Sequence, residues 1–395
     1  MATIEKRGKS YRITASCGYD VDGTQERPRI TWRPEPGMTE KQIEKELNRR
    51  AVLFEEDCKN GFAEENIKFQ LFAENRYFVD YAPENLKRKT IDTYQHYEDR
   101  VYGALGHLRM DRITPSHIQK FVRGLLKGDK DHKPLSKKSA KNYLTFVSSV
   151  FEYAIRLKAA KSNPCRAVRI SLKGRPEHDF YTLDEAQHFL DLLLQPAEPL
   201  MYQAFFVLAI YGGFRRGELL GLEWKDIDFD KSVVSVRRES LYTKEAGIYT
   251  DVPKTQSAQR SLKLQPEIFD LLRRYRVEQN LKRLQIGDKW IDSDRLFVAW
   301  NGAPIYPSAP YNWLDRFCKR TGMRRAKQAI HSLRHLNATL LITNHADAKT
   351  VSAALGHSQV STTLNIYTHT FQAAQAAASQ AVADKLPLKA NVNPK

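Results

Sequence analysis

The longest apolar stretch of the chain runs from Leu200 to Phe214 and stops at Arg215-Arg216. A helix that spans a bilayer needs about 20 apolar residues. This stretch is shorter and also holds Tyr202 and Gln203, so a soluble fold has to accommodate it. The N-terminus, Met1 to Arg12, is polar and lacks the apolar region of a signal peptide. A cytoplasmic protein with no membrane contact is the expectation. At 42% apolar residues the 395-residue chain can bury real cores, and its length allows two or three domains at about 150 residues each. Cys17, Cys58, Cys165 and Cys318 lie far apart, with no Cys-x-x-Cys pair. They read as reduced thiols rather than a zinc ribbon or a disulfide framework.

Charge narrows the class. Lys and Arg number 63 against 46 Asp and Glu, a net charge of +17. Such an excess points to a polyanion, either nucleic acid or an anionic membrane surface. It is also unevenly spread. Between Asp80 and Pro176 there are 21 Lys and Arg against 9 Asp and Glu, so most of the surplus sits in about a quarter of the chain.

The pattern divides the sequence into three parts and a linker. Residues 1–61 read as a small β-plus-helix unit. Tyr11 to Ala15 and Arg29 to Arg33 look like strands, Asp22-Gly23 is a turn signal, and Thr39-Glu40-Lys41-Gln42 opens a helix that Gly61 ends. Such a unit is an accessory binding module or a structural cap. Residues 62–169 are helical by spacing. One apolar face holds Phe69, Phe72, Phe78 and Tyr81, a second Thr90, Tyr94, Tyr97 and Val101. A third holds Ile118, Phe121, Val122 and Leu125. The fourth runs from Tyr143 to Ala154 and is ended by Asn163-Pro164. The concentrated charge here is either a solvated lysine-rich face or a surface for a phosphate backbone. Residues 170–181 contain Lys173-Gly174-Arg175-Pro176 and read as a linker laid along DNA. Thr182-Leu183-Asp184-Glu185 is a second capping box and opens 182–395. That part is mostly helical, with strands at 232–237, 248–252 and 260–264 and turns at Ala246-Gly247 and around Gln256-Ser257. An alanine-rich helix, 372–383, precedes a frayed tail.

Four short elements of this last part carry chemistry. Gly213-Phe214-Arg215-Arg216-Gly217-Glu218-Leu219-Leu220 joins two helices. Its arginine offers a planar fork of donors to a phosphate, and Glu218 could orient Arg215; a helix-capping pair is the plainer account. Pro253-Lys254-Thr255 sets a lysine in a hairpin, where lysine is common anyway. In His331-Ser332-Leu333-Arg334-His335, the histidines at i and i+4 lack the Glu that a zinc protease motif requires, so no metal is expected. His331 and Arg334 share a face and could donate to one phosphate. Leu355-Gly356-His357-Ser358 is followed by Tyr367, one of 18 tyrosines. A phenol can attack phosphorus if its proton is managed and the phosphate charge is neutralised.

Taken in the order Arg, Lys, His-x-x-Arg, His, Tyr, these elements make a phosphoryl-transfer set. The sequence resembles the tyrosine recombinases, the phage integrase family, through the Gly213–Leu220, Pro253–Thr255, His331–His335 and Leu355–Ser358 segments and Tyr367. Gly212 stands where the family often has threonine, and the Gly-x-Arg-x-x-Glu spacing selects Arg215 over Arg216. By layout, 1–61 is similar to the family's arm-binding domain and 62–169 to its helical core-binding domain. The expected fold is therefore multidomain and mainly α with small β-sheets, ending in a mixed α/β catalytic domain.

The resemblance implies a site-specific DNA recombinase that integrates and excises a mobile element of phage or conjugative-transposon type. Tyr367 attacks a DNA phosphate to give a 3′-phosphotyrosyl link. Arg215 and Arg334 bind the non-bridging oxygens, and Lys254 protonates the leaving 5′-oxygen. His331 takes the tyrosine proton or binds the phosphate, His357 adds a donor, and Glu218 supports Arg215. No cofactor is needed, because the covalent link conserves the phosphodiester energy. Double-stranded DNA would be held at core sites by Lys137, Lys138, Lys141, Lys173 and Arg175, and at arm sites by Arg27, Arg29 and Arg33. The implied assembly is a homo-tetramer on DNA, nucleoid-associated when bound, with the C-terminal helix packed in cis or in trans. An excisionase or a host DNA-bending protein fits as a further partner. A chromosome-dimer recombinase and a type IB topoisomerase share the chemistry and are the rival readings, with a non-catalytic DNA-binding protein behind them.

Overall fold

Three short strands open the chain as an antiparallel sheet with β2 at its centre: β1 (Thr3–Arg7), β2 (Ser10–Thr14) and β3 (Arg29–Trp32). The computed structural model describes residues 2–7, 10–16, 27, 29–34, 37–59, 67–171, 179–252 and 259–386, with backbone alone at 56–59. The expected turns at Asp22-Gly23 and Gln256-Ser257, the Gly61 helix stop and the C-terminal tail fall outside these residues. β1 escapes a periodicity search because all five of its residues are exposed. β2 buries Ile13, which pairs with Ile4 on one side and Ile30 on the other. Helix α1 (Glu40–Lys59) starts at Thr39, whose amide donates to the Gln42 side chain at 2.9 Å. It lays Leu47, Ala51 and Phe54 against Ile13 in a small core.

The chain forms two compact units, Met1–Arg175 and Pro176–Lys395. The first unit holds a second and larger core, built by short helices: α2 (Phe69–Phe72), α3 (Ala82–Asn85), α4 (Arg88–Gln95), α5 (Glu98–Val101), α6 (Pro115–Lys127) and α7 (Lys137–Arg156). Two π-helical stretches, Ala73–Tyr81 and Tyr102–Gly106, change the face that spacing alone predicts. A wider turn rotates later residues around the axis. Tyr77 is therefore fully buried, with its hydroxyl 2.6 Å from Ser149 Oγ, while Phe78 and Tyr81 are only partly covered. The second expected helix is also two pieces, broken at His96-Tyr97. α6 and α7 do bury the residues their spacing indicated, including Ile118, Phe121, Val147, Val150 and Phe151. α7 ends earlier than expected, at Arg156, where Lys158 takes a positive φ of 58°. Asn163 instead starts a short turn and ties it back to α7 by donating to Glu152 Oε1 at 2.7 Å.

The second unit opens on α8 (Leu183–Leu193). Its Thr182 capping box is formed in both directions, at 2.9 and 3.2 Å. α9 (Leu200–Gly212) is the apolar stretch, buried on nearly all sides between later helices. No described helix is long and apolar enough to cross a membrane. α10 (Arg216–Gly221) follows, and then two sheets. One is antiparallel in the order β4–β5–β8, from β4 (Ile227–Asp228) and β5 (Val233–Val236) to β8 (Arg260–Lys263). The other pairs β6 (Glu239–Thr243) with β7 (Gly247–Asp251). Three of these strands, β5, β7 and β8, lie where the sequence pattern predicts strands. β7 and β8 belong to different sheets, so they do not form a hairpin with each other. The rest is helical: α11 (Pro266–Ile286), α12 (Ala309–Thr321), α13 (Ala329–Thr343), α14 (Ala348–Leu355) and α15 (Val360–Lys385). α15 contains the alanine-rich segment. A small separate core of Ala338, Ile342, Val351, Leu355 and Tyr367 locks α13, α14 and α15 together.

Candidate active site

The end of α9 sets the first cation. Gly213 adopts φ +56°, and a Cβ there would lie 2.7 Å from Asn337 Oδ1, so the turn needs glycine. Arg215 follows at the start of α10. Its Nη1 lies 2.6 Å from Glu218 Oε1 and its amide donates to Glu218 Oε2 at 2.9 Å. The capping account and the orienting account of this pair are therefore one arrangement.

Two further arginines converge on the same place. Arg334, in the middle of α13, is 2% exposed and donates to the carbonyls of Gly213 and Leu355, both at 2.6 Å. Arg260, at the start of β8, donates to Ala354 O at 2.7 Å and to Glu218 Oε2 at 2.9 Å. Arg215 Nη2 reaches Gly356 O at 3.0 Å. Three guanidinium groups thus grip three successive carbonyls, 354 to 356, at the C-terminal end of α14. That end carries the negative pole of the helix, which favours cations. One buried carboxylate, Glu218, faces them. Burial alone would raise its pKa, but the charges of Arg260 and Arg215 hold it below the ordinary carboxylate value. Burial, together with the positive charge of Arg215, pulls Arg334 down from its usual value. Three cations around one carboxylate leave a positive surplus suited to an anion.

His357 comes directly after the left-handed cap Gly356. Its Nδ1 is 2.8 Å from Thr363 Oγ1. Burial, then the charges of Arg334, Arg215 and Arg260, lower its pKa to about 4. The ring is neutral near pH 7, and a Thr363 hydroxyl that donates to Nδ1 leaves its hydrogen on Nε2 as a donor. Tyr367 sits where α15 kinks, with φ −107° and ψ 20°. It is 5% exposed, and burial pushes its phenol up, with the Arg334 charge acting in the opposite direction.

Arg215, Glu218, Arg334, His357 and Tyr367 are thus connected through α10, α13, the end of α14 and α15. His331 is on α13 as well but faces outwards and is exposed. Lys254, Lys173 and Arg175 lie outside the described residues. Lys137, Lys138 and Lys141 are exposed on the first turns of α7, and Arg27, Arg29 and Arg33 are exposed in the N-terminal sheet region. Among the described residues no cluster of His, Cys, Asp or Glu could hold a metal ion.

Sequence reasoning missed two residues. Arg260 was hidden in a strand, although alternation places it on the face of Leu262, an inward position for a cation. His335 was weighed only as a zinc partner of His331. Its Nδ1 is 2.6 Å from the Tyr367 hydroxyl.

Known proteins resemble this chain over most of its length. Residues 179–374 match the phage integrase family, and 72–126 match its N-terminal SAM-like domain. The chain belongs to the phage integrase family. A tyrosine recombinase XerC-like protein of Caldanaerobacter subterraneus subsp. tengcongensis is 28% identical, over 92% of this chain and 93% of its own. The ICEBs1 integrase of Bacillus subtilis is 26% identical over 98% and 99%. The Tn1549 transposon integrase, solved in complex with transposon right end DNA, has the same fold. Its TM-score is 0.65 at 24% identity, over 80% of this chain and all of that one.

Proposed function

We propose that this tyrosine recombinase cuts and rejoins DNA at specific sites through a 3′-phosphotyrosyl intermediate, and thereby integrates and excises a mobile element. The observation that carries the reading is the trio of guanidinium groups on the C-terminus of α14, next to a buried tyrosine on α15. A planar guanidinium has five N–H donors, so Arg334 can keep both carbonyl bonds and still offer hydrogens to a phosphate. Arg215 and Arg334 would bind the non-bridging oxygens, and Arg260 would hold Glu218 and the helix end in place. The neutral His357 would add one more donor. These groups are fixed before DNA arrives, so they stabilise the charge that builds on phosphorus without rearranging. Lys254 keeps the general-acid role on the strength of motif order. His331, exposed on α13, would bind a phosphate oxygen.

The rest of the chain would hold the duplex. In this reading, 1–61 binds arm sites through Arg27, Arg29 and Arg33. Residues 62–169 hold the core site, with Lys137, Lys138 and Lys141 on the backbone and Lys173 and Arg175 continuing the contact in the 170–181 linker. The catalytic domain is 182–395. Four protomers would act on two DNA sites, with α15 beyond Tyr367 packed in cis or in trans.

The test is a nicked suicide substrate that traps the covalent complex. Tyr367→Phe should bind DNA normally and form no covalent product, while the wild-type chain yields a DNA-linked peptide containing Tyr367. A covalent product from the phenylalanine variant would put the nucleophile elsewhere.

A further inference from the structure

The partner of the nucleophile is built as carefully as the arginines. His335 is 6% exposed and lies one residue beyond Arg334 on α13. Its Nδ1 meets the Tyr367 hydroxyl at 2.6 Å, within a buried pair. The Phe180 ring covers it at 4.2 Å between centroids, and the His331 ring meets it edge-on at 4.6 Å. Tyr181 N donates to Ser332 Oγ at 2.9 Å, which pins the segment carrying Phe180 onto the same helix. The imidazole is thus clamped on one side by a ring and aimed at the phenol on the other. His331, in contrast, is exposed.

We propose that His335 holds the Tyr367 hydroxyl through Nδ1 and takes its proton as the phenolic oxygen attacks the DNA phosphate. The inference rests on Tyr367 being the nucleophile. During cleavage the Tyr367 Oη–P bond forms, the P–O5′ bond breaks, and the phenolic proton passes to Nδ1. The 5′-oxygen leaves with a proton from the general acid. During rejoining the 5′-hydroxyl gives its proton back to the deprotonated general acid and attacks phosphorus, the Oη–P bond breaks, and His335 returns its proton to Oη. His331 is then left to bind phosphate.

The experiment uses the full chain and a nicked duplex carrying the core site at which the wild-type protein links to DNA. The wild-type link is mapped first, so failure of the Tyr367 assignment is seen independently of His335. His335→Ala and His335→Asn are then compared in single-turnover cleavage at saturating DNA. General-base catalysis is typically worth 10²–10⁴-fold, so both variants should bind within about threefold of wild type and cleave at least ~100-fold more slowly. Asparagine keeps an acceptor at the Nδ1 position but cannot take up a proton. It also fills the site if alanine damages the fold. A substrate with sulfur in place of the bridging 5′-oxygen separates the two proton transfers, because a thiolate leaves without an acid. It should rescue Lys254→Ala and leave both His335 variants slow. Wild-type rates in His335→Asn, faster cleavage in either variant, or rescue of His335→Asn by the thiolate substrate would each overturn the proposal.

Discussion

Cations meet helix ends in two opposite ways in the two units. In the first unit, Lys137, Lys138 and Lys141 occupy the first turns of α7, and no acidic residue shares the first turn. The amide groups there already carry partial positive charge, so Lys137 and Lys138 are placed against the helix dipole. In the second unit, Arg215, Arg260 and Arg334 sit on the last carbonyls of α14, where the dipole favours them. The fold itself stabilises the arginines and fixes their direction. It tolerates the lysines, and an arriving phosphate would relieve the local repulsion. One arrangement is fixed within the fold; the other, on the proposed reading, would hold a duplex.

The largest effect expected from this contrast comes from Arg334→Ala. Removing one preorganised donor of this kind costs about 10²–10³ in rate. The carbonyls of Gly213 and Leu355 also lose their donors, at about 1–3 kcal/mol for each buried acceptor left unmade. Covalent-complex formation should fall by at least ~100-fold, with a lower melting temperature. Arg334→Lys should recover little, because one ammonium cannot span two carbonyls and a phosphate. Recovery by lysine would mean that charge alone suffices, and the distinction between fixed and holding cations would break.

A smaller and opposite pattern is expected for Lys137→Ala, Lys138→Ala and Lys141→Ala combined. Affinity should drop alike on all DNA sequences. The slope of log K against log salt should flatten by about one unit per lysine. Cleavage at saturating DNA should stay at the wild-type rate, and α7 should be no less stable, since repulsion at its N-terminus is removed. A slower chemical step at saturation would place these lysines in the active site.

What the sequence disclosed follows the same division. Residues acting through local pattern were legible: the helix starts at Thr39 and Thr182, the apolar α9, the Arg215–Glu218 pair at i and i+3, and the order of motifs. Residues acting through distant contacts were not. Arg334 reaches Gly213 across 121 positions and Arg260 reaches Ala354 across 94, which no local spacing encodes. His335 was visible as a residue but not as the partner of Tyr367, 32 positions away. The π-helical stretches misled the reading for a different reason: they alter the period on which it depends. β6 was hidden because Glu239-Ser240 opens it with polar residues, and it pairs with β7 in a sheet of its own.

The smallest expected effect tests whether burial and the arginine charges hold His357 neutral. In the unfolded chain a histidine titrates near ~6.5. In the folded protein, burial and the three guanidinium groups bring His357 to about 4. The folded state therefore favours the neutral ring. Its contribution to stability is complete above about pH 6.5 and is lost as pH falls towards 4, because the unfolded chain takes up the proton first. His357→Gln has no proton to gain, so its melting temperature should fall less between pH 6.5 and 4.5 than that of the wild type. Arg334→Lys keeps the positive charge and should preserve the wild-type slope. If His357→Gln and wild type lose stability in parallel across this window, the ring titrates as a free histidine would. The positive surplus at the end of α14 would then be neutralised within the fold, and the arginines would no longer differ from the α7 lysines in the way their geometry implies.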